Sequence, residues 1–249
     1  MREIEFTILE NKPITDDICK MVLECSAGEH GITAPGQFIN IKIDGLFLRR
    51  PISICDWTET TVTVIYKVVG KGTELLKTYE PGRQLNALST LGNGFAPARA
   101  GERPLLIGGG VGVPPLYGLC RSLIEAGARP TVILGFNTEH EVFYKEEFEK
   151  LGAEVLVATA DGSMGQKGFV TDALRNIKEP ATFFYTCGPE PMLKALDKAL
   201  PEGLEGEMSF EERMGCGFGA CMGCSCETRY GAKRICKDGP VLERSEILW

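Results

Sequence analysis

Residues 105–115 read Leu105-Leu106-Ile107-Gly108-Gly109-Gly110-Val111-Gly112-Val113-Pro114-Pro115. A short apolar run that ends in glycines is typical of a buried strand followed by a tight turn into a helix. Glycines in such a turn let backbone N–H groups reach a phosphate at the positive end of the helix. The match to G-x-G-x-x-G is imperfect, because Pro115 stands where the third glycine would be counted from Gly110. A tight turn without a ligand therefore stays open as the alternative.

The same alternation of strand and helix continues to about residue 200. Apolar runs at 131–136, 154–158 and 182–186 each precede a segment with helical periodicity, at 145–151, 171–177 and 191–200. Four such units predict a doubly wound parallel sheet, whose ligands bind at the carboxyl ends of the strands. The turn Cys187-Gly188-Pro189 follows the last of these strands, so we expect it on the same edge as the glycine loop.

The first hundred residues have a different periodicity. Six short runs typical of strands lie at 3–9, 18–24, 37–43, 50–55, 61–69 and 84–88, and one helical segment covers 73–79. Short strands separated by turn residues predict a small antiparallel barrel. We therefore divide the chain into a barrel domain (1–100), an α/β domain (101–205) and a C-terminal segment with clustered cysteines (206–249).

Two features of the barrel predict a ligand that carries phosphate. Arg50-Pro51-Ile52-Ser53 places a guanidinium three residues before a hydroxyl, and the guanidinium fork matches phosphate oxygens. Gly70-Lys71-Gly72-Thr73 precedes the short helix, which makes a second anion-binding helix start. An arginine in a strand is more often a solvated charge, so only the combination of the two features carries the prediction.

The C-terminal segment spaces four cysteines as C-x4-C-x2-C and then C, at Cys216, Cys221, Cys224 and Cys236. This is the plant-type spacing for a [2Fe–2S] cluster. Structural zinc sites more often use two short cysteine pairs, and disulfides need an oxidising compartment, whereas the chain opens without an apolar signal-peptide core. Cys226 does not fit the spacing, so we expect it not to be a ligand.

Composition narrows the class of protein further. A net charge of −7 over 249 residues argues against nucleic-acid binding. No run of eighteen apolar residues occurs, so we expect no membrane span and a cytoplasmic protein. The only histidines, His30 and His140, lie in no motif, and we expect both at the surface. Hydride transfer between a nicotinamide and a flavin requires alignment rather than a general base, so this shortage of histidine is no obstacle to it.

The order of these motifs resembles one family over essentially the whole chain. R-P-I-S on a barrel, G-T at a helix start, G-G-G-x-G, C-G-P-x-P-M and the cysteine loop are similar to the electron transfer subunits of type B dihydroorotate dehydrogenase, within the ferredoxin reductase superfamily. The lead-in Glu211-Glu212-Arg213-Met214-Gly215-Cys216 is the most specific part of the resemblance.

The resemblance implies a site for each of three cofactors. It implies FAD at Arg50, Pro51, Ile52, Ser53, Ile65, Tyr66, Lys67, Gly72 and Thr73. It implies NAD at Gly108, Gly109, Gly110, Gly112, Cys187, Gly188 and Pro189. It implies a [2Fe–2S] cluster on Cys216, Cys221, Cys224 and Cys236.

The resemblance also implies a partner and a pathway. Electrons from dihydroorotate, oxidised on an FMN-containing catalytic subunit, would pass through the cluster and FAD to NAD in pyrimidine biosynthesis, in a heterotetramer with two copies of each subunit. Two alternatives stay open. One is the small FAD/[2Fe–2S] subunit of a ferredoxin:NADP or sulfide oxidoreductase, relatives that tend to place aspartate where this chain has Cys216. The other is a redox sensor or zinc module that has lost turnover.

Overall fold

The computed structural model describes residues 1–26 and 28–249 and begins with a closed six-stranded barrel. Its antiparallel strands pair in the order β1-β2-β5-β4-β3-β6. They are β1 (Arg2–Pro13), β2 (Ile18–Cys25), β3 (Phe38–Ile41), β4 (Arg50–Trp57), β5 (Thr61–Lys67) and β6 (Gln84–Leu91), with helix α1 (Lys71–Lys77) between β5 and β6. Alternate residues fill the interior, among them Phe6, Ile8, Met21, Leu23, Ile39, Ile41, Ile54, Val62 and Val64. The predicted barrel is confirmed.

The second half forms a seven-stranded sheet in the order β10-β9-β8-β7-β11-β12-β15. All its pairings are parallel except that of β15 with β12. The elements are β7 (Pro104–Gly109), α2 (Pro114–Glu125), β8 (Thr131–Phe136), α3 (Lys145–Leu151), β9 (Glu154–Thr159), β10 (Gln166–Lys167), α4 (Val170–Ala173), β11 (Phe183–Cys187), α5 (Glu190–Ala199), β12 (Gly206–Ser209), β13 (Ser225–Thr228), β14 (Gly231–Arg234), α6 (Ile235–Asp238) and β15 (Val241–Glu243). Because β8 and β11 lie on opposite sides of β7, the strand order reverses there, and a crevice opens at its carboxyl end.

The sequence pattern did not predict three strands of this sheet, which are β12, β15 and the two-residue β10. β12 and β15 come from the C-terminal segment, and both are too short, at four and three residues, to show a periodicity. The boundaries predicted after residues 100 and 205 fall between elements, but strands from both sides of residue 205 share the sheet. The helix predicted over 171–177 is shorter, since α4 ends at Ala173 and a 3₁₀ turn follows.

An apolar core and an ion pair join the barrel to the α/β domain. Cys55 and Ile65 of the barrel pack in one core with Leu116 and Leu119 of α2. The Arg121 guanidinium donates from Nε and Nη2 to Asp56 Oδ1 of the barrel, at 3.0 and 2.8 Å. These contacts hold the carboxyl edge of the sheet in a fixed position beside β4 and β5.

The expectation that both histidines lie at the surface is wrong for His30. His30 is 4% exposed, its Nε2 lies 2.7 Å from the Thr58 carbonyl oxygen, and its Nδ1 accepts the Ile32 N–H. A single histidine forms no repeating pattern in the sequence. The sequence therefore could not show that this ring contacts two backbone groups and is not exposed to solvent. His140 is exposed, as expected. Among the helices of the described residues, none combines the length and the apolar character needed to cross a membrane.

Candidate functional site

Residues 216–224, called here the cluster loop, carry the first three predicted ligands, and the first two of these cysteines are in contact. The Cys216 Sγ accepts the backbone N–H groups of Ala220, Cys221 and Phe218 at 3.2, 3.4 and 3.5 Å. The Cys216 N–H in turn points at the Cys221 Sγ, 3.4 Å away. Partial burial raises the pKa of Cys216, but the backbone donors outweigh it and bring the pKa to about 6. The loop is therefore built to hold a thiolate.

Cys224 and Cys236 form a second pair, which is buried. Their side chains are hydrogen-bonded to each other, and the Cys236 N–H points at the Cys224 Sγ at 3.4 Å. Burial, together with the neighbouring Cys224 thiol, raises the pKa of Cys236 to about 12. Binding of iron deprotonates such a thiol outright.

Two pairs of thiols fit a dinuclear cluster. Each iron of a [2Fe–2S] cluster takes two cysteine thiolates, whereas a zinc ion needs its ligands to converge on one point. Cys226 lies in the β13–β14 hairpin opposite Lys233, and burial raises the pKa of its thiol. The donor set present thus suits the predicted cluster.

The cluster loop lies on the outer face of the barrel. Asn40 of β3 donates from Nδ2 to the Cys216 carbonyl at 3.3 Å. On β6 and just beyond it, Leu91 shares an apolar core with Cys224 and Cys236, and Asn93 exchanges two hydrogen bonds with Val241. The sequence pattern did not identify Asn40, because its partner is 176 positions away in the chain.

The predicted flavin-binding strand lies beside this loop. In the barrel register, Asn40 pairs with Pro51 and Phe38 pairs with Ser53. Side chains alternate along a strand, and Ile52 packs against the interior core, so Pro51 and Ser53 face outward with Asn40. The barrel face that carries Ser53 is therefore next to the face that holds the cluster loop.

Arg50 and the α1 start come together as the sequence predicts. The Arg50 guanidinium lies against Gly72, so a β-carbon at that position would push the Arg50 side chain aside. Thr73 accepts the Val69 N–H with its Oγ1 at 2.9 Å and donates to the Gly70 carbonyl at 3.1 Å. A guanidinium and a glycine turn at one place make a cradle suited to phosphate.

The other residues predicted to line the flavin point in different directions. Ile65 packs in the core between the two domains, and the Tyr66 hydroxyl is inside the barrel, where it donates to Asn11 at 2.8 Å. Lys67 is exposed, with its Nζ 3.0 Å from Asp17. Because the Tyr66 and Ile52 side chains face inward, only their backbone atoms are available to a ligand on the outer face.

The two glycine turns meet at the carboxyl ends of β7 and β11. A β-carbon on Gly112 would collide with the Cys187 carbonyl group and would lie 2.6 Å from the Gly188 nitrogen. One on Gly109 would lie 2.5 Å from the Met192 sulfur. The Cys187 thiol is hydrogen-bonded to Ser209 of β12, yet burial raises its pKa to about 12, so it stays neutral. The sequence motif C-G-P-x-P-M includes Met192, but the sequence did not identify Ser209 as a neighbour of this site, since that contact joins separate elements.

The barrel has a phosphate cradle, the sheet has two glycine turns at the edge where a nucleotide would bind, and the C-terminal segment has a loop of paired cysteines. Together these features define an NAD-linked flavin and iron–sulfur oxidoreductase of the ferredoxin reductase type. Residues 211–248 match the model of the iron–sulfur cluster binding domain of dihydroorotate dehydrogenase B, and residues 106–198 match the oxidoreductase NAD-binding domain. The cofactors are thus FAD, NAD and a [2Fe–2S] cluster.

Curated relatives identify the family. The electron transfer subunits of dihydroorotate dehydrogenase B (NAD(+)) from Geobacillus sp. and Fusobacterium nucleatum are 44% and 42% identical to this chain, over 100% and 99% of it and 99% of each relative. An NADH-dependent reduced ferredoxin-NADP oxidoreductase structure matches with a TM-score of 0.88 and 30% identity, over 98% of this chain and 90% of its own. The chain belongs to the family of dihydroorotate dehydrogenase B electron transfer subunits, as the sequence resemblance predicted.

Proposed function

We propose that this chain carries electrons from a dihydroorotate-oxidising partner to NAD, in pyrimidine biosynthesis. The observation that carries the proposal is the order of the sites. The cysteine loop is hydrogen-bonded to β3, Ser53 lies on the neighbouring strand, and the glycine turns lie across the fixed interface between the domains. Such an order forms a continuous route from the cluster loop through the flavin face to the nucleotide edge.

The residues of each site have separate tasks. Arg50, Gly72 and Thr73 would hold the FAD phosphates, and Pro51 and Ser53 would face the flavin ring. The glycine turn at 108–112 and the turn at 187–189 would bind NAD by their backbone. When bound, FAD exchanges a hydride with the nicotinamide and exchanges single electrons with the cluster. The neutral Cys187 thiol adds no charge where the nicotinamide would lie.

The substrate site belongs to a partner in this proposal. The cluster loop exposes Phe218 and Met222, at 40% and 54%, and Cys221 is exposed between them. An FMN-containing catalytic subunit that covers these side chains would bring its own cofactor close to the cluster. A heterotetramer with two copies of each subunit is part of the proposal. So is a cytoplasmic location, because ten unpaired cysteines suit a reducing compartment.

An anaerobic titration with NADH tests the electron route in the purified chain. Bound FAD and one cluster should accept about three electrons per chain, with the flavin and iron–sulfur absorption bands both bleached. A chain that bleaches only its flavin would contradict a connected route.

A second candidate function is that of a small subunit in a reduced ferredoxin-NADP oxidoreductase, which the match over 98% of the chain supports. Cys216 at the first ligand position, where such relatives tend to carry aspartate, favours the dihydroorotate reading. Comparison of ferredoxin with the FMN-containing catalytic subunit as electron donor would separate the two functions.

A further inference from the structure

Asn40 is an unusual residue for the middle of a barrel strand. It lies between Ile39 and Ile41, and its side chain is 1% exposed. Its Nδ2 donates to the Cys216 carbonyl, while its Oδ1 is buried and has no hydrogen-bond partner in the described part of the chain. Exchanging the two amide atoms would set two acceptors against each other, so the contact itself fixes the orientation of the amide.

A buried acceptor without a partner lowers the stability of the barrel, and an apolar side chain would avoid that loss. The amide at this position is therefore explained by its contact with the cluster loop rather than by the packing of the barrel.

Gly217 shows how tightly the loop fits onto this amide. The position of a β-carbon on Gly217 is already occupied by the Asn40 amide nitrogen, and the backbone φ there is +79°. Any other residue at this position would be strained by the conformation and would also displace the Asn40 amide. The contact covers both the carbonyl of the first predicted ligand and the residue that follows it.

Other contacts hold the loop from within its own segment. Arg234 donates to the Gly219 carbonyl at 2.9 Å, and its guanidinium is held by Asp238 at 2.9 and 3.2 Å. These bonds keep the shape of the loop, but they do not attach it to the barrel. Asn40 does so, from a strand position paired with Pro51 on the flavin face.

We propose that Asn40 is a positioning residue that fixes the first cluster ligand against the flavin-binding face of the barrel. The inference rests on the proposed function only in taking the cofactors to be FAD and a [2Fe–2S] cluster. Electron transfer slows steeply as the gap between two carriers widens, so a loop held on β3 keeps the flavin-to-cluster step fast. The Asn40 amide donates to the backbone carbonyl of Cys216 rather than to its sulfur.

The test measures opening of the loop as release of iron to a chelator from the reduced, cluster-loaded protein. Asn40→Ala should release iron up to about tenfold faster, because the loss of one hydrogen bond changes an equilibrium by up to about that factor. It should also slow reduction of the cluster by NADH in stopped-flow measurements. The matched control is Asn93→Ala, which removes two hydrogen bonds between the barrel and Val241 in the same segment but none to the loop. We expect wild-type rates of iron release for this control.

A double-mutant cycle tests whether the contact is direct. Gly217→Ala should release iron faster than Gly231→Ala. Gly231 is the control position, since it also has positive φ but has open space around it. Adding Asn40→Ala to Gly217→Ala should relieve the collision, so that the two effects are less than additive. This cycle keeps the proposal testable if either single variant is poorly soluble.

Wild-type rates of iron release and of cluster reduction in Asn40→Ala, or strict additivity with Gly217→Ala, would overturn the proposal. Neither measurement requires dihydroorotate or a partner subunit. A failure of the pyrimidine role would therefore leave this result standing, and a failure here would leave that role intact.

Discussion

Gly112→Ala should disable the nucleotide edge while leaving the other two cofactors in place. The new methyl group would meet backbone, which cannot rotate away as a side chain can. It would collide with the Cys187 carbonyl group and would lie 2.6 Å from the Gly188 nitrogen, about 0.8 Å short of the 3.4 Å at which ordinary contact begins. The turns at the ends of β7 and β11 must therefore separate by at least that distance, because the Cys187 carbonyl group lies closer still.

A displacement of about 1 Å at a reacting centre can cost about 10²-fold in rate. We expect kcat/KM for NADH, measured with a dye as acceptor, to fall by about 10²-fold, which corresponds to about 2.7 kcal/mol of transition-state stabilisation. The content of FAD and of iron per chain should match the wild type, because both groups would be held by residues outside this turn.

Gly110→Ala is the control, in the same turn. Its β-carbon would meet nothing within 4 Å, so only the strain of a φ of +53° remains. That strain amounts to about 1–2 kcal/mol, and the loss for NADH should be clearly smaller than in Gly112→Ala. If Gly112→Ala kept kcat/KM within about threefold of the wild type, or if both variants lost equally, the close approach of the two turns would not be what shapes the site.

Three further predictions concern the cluster, the nucleotide and the pH dependence of stability. Replacement of each of the four predicted ligands by serine should remove or destabilise the cluster while FAD stays bound. Cys226→Ser should keep the iron–sulfur spectrum. Loss of that spectrum in the Cys226 variant would show the ligand assignment to be wrong. NADH should be preferred to NADPH in kcat/KM, because Asp161, whose hydrogen bonds to Ser163 lower its pKa, offers a carboxylate rather than a cation after β9; a preference for NADPH would refute this. Burial raises the pKa of Glu207 above 4.5, although the Ala96 N–H opposes the shift. The stability that goes with its protonated form is therefore lost as the pH rises through that raised pKa, and Glu207→Gln should flatten the fall in urea-unfolding free energy as the pH rises above 4.5. If the unfolding free energy of Glu207→Gln fell as steeply with pH as that of the wild type, the raised pKa of Glu207 would be contradicted.

Local chemistry explains what the sequence could predict. The glycine turn at 108–112 and the cysteine spacing are short motifs in which neighbouring residues impose the geometry, and the structure has the strand, the turn and the two thiol pairs in order. The barrel strands were predictable because one face of each is buried, which gives a period of two.

Contacts between distant parts of the chain were not predictable from one sequence. Asn40 and Cys216 are 176 positions apart, and β12 and β15 acquire their strand structure only by pairing at the edge of the sheet. The pleat also separates Ile65 from Tyr66, which the family resemblance grouped at one site, because successive side chains of β5 point to opposite faces. His30 is buried, and its ring contacts two backbone groups that no sequence pattern indicates.

Reduction of NAD by dihydroorotate shows most directly whether this chain joins the oxidation of dihydroorotate on another subunit to NAD. Reduction of NAD by dihydroorotate should be measured with the purified chain alone, with an FMN-containing catalytic subunit alone, and with the two mixed. We expect that the chain alone reduces dyes with NADH but does not oxidise dihydroorotate, and that only the mixture reduces NAD. Turnover of dihydroorotate with NAD by the isolated chain, or a mixture that neither associates nor reduces NAD, would contradict the role of an electron transfer subunit.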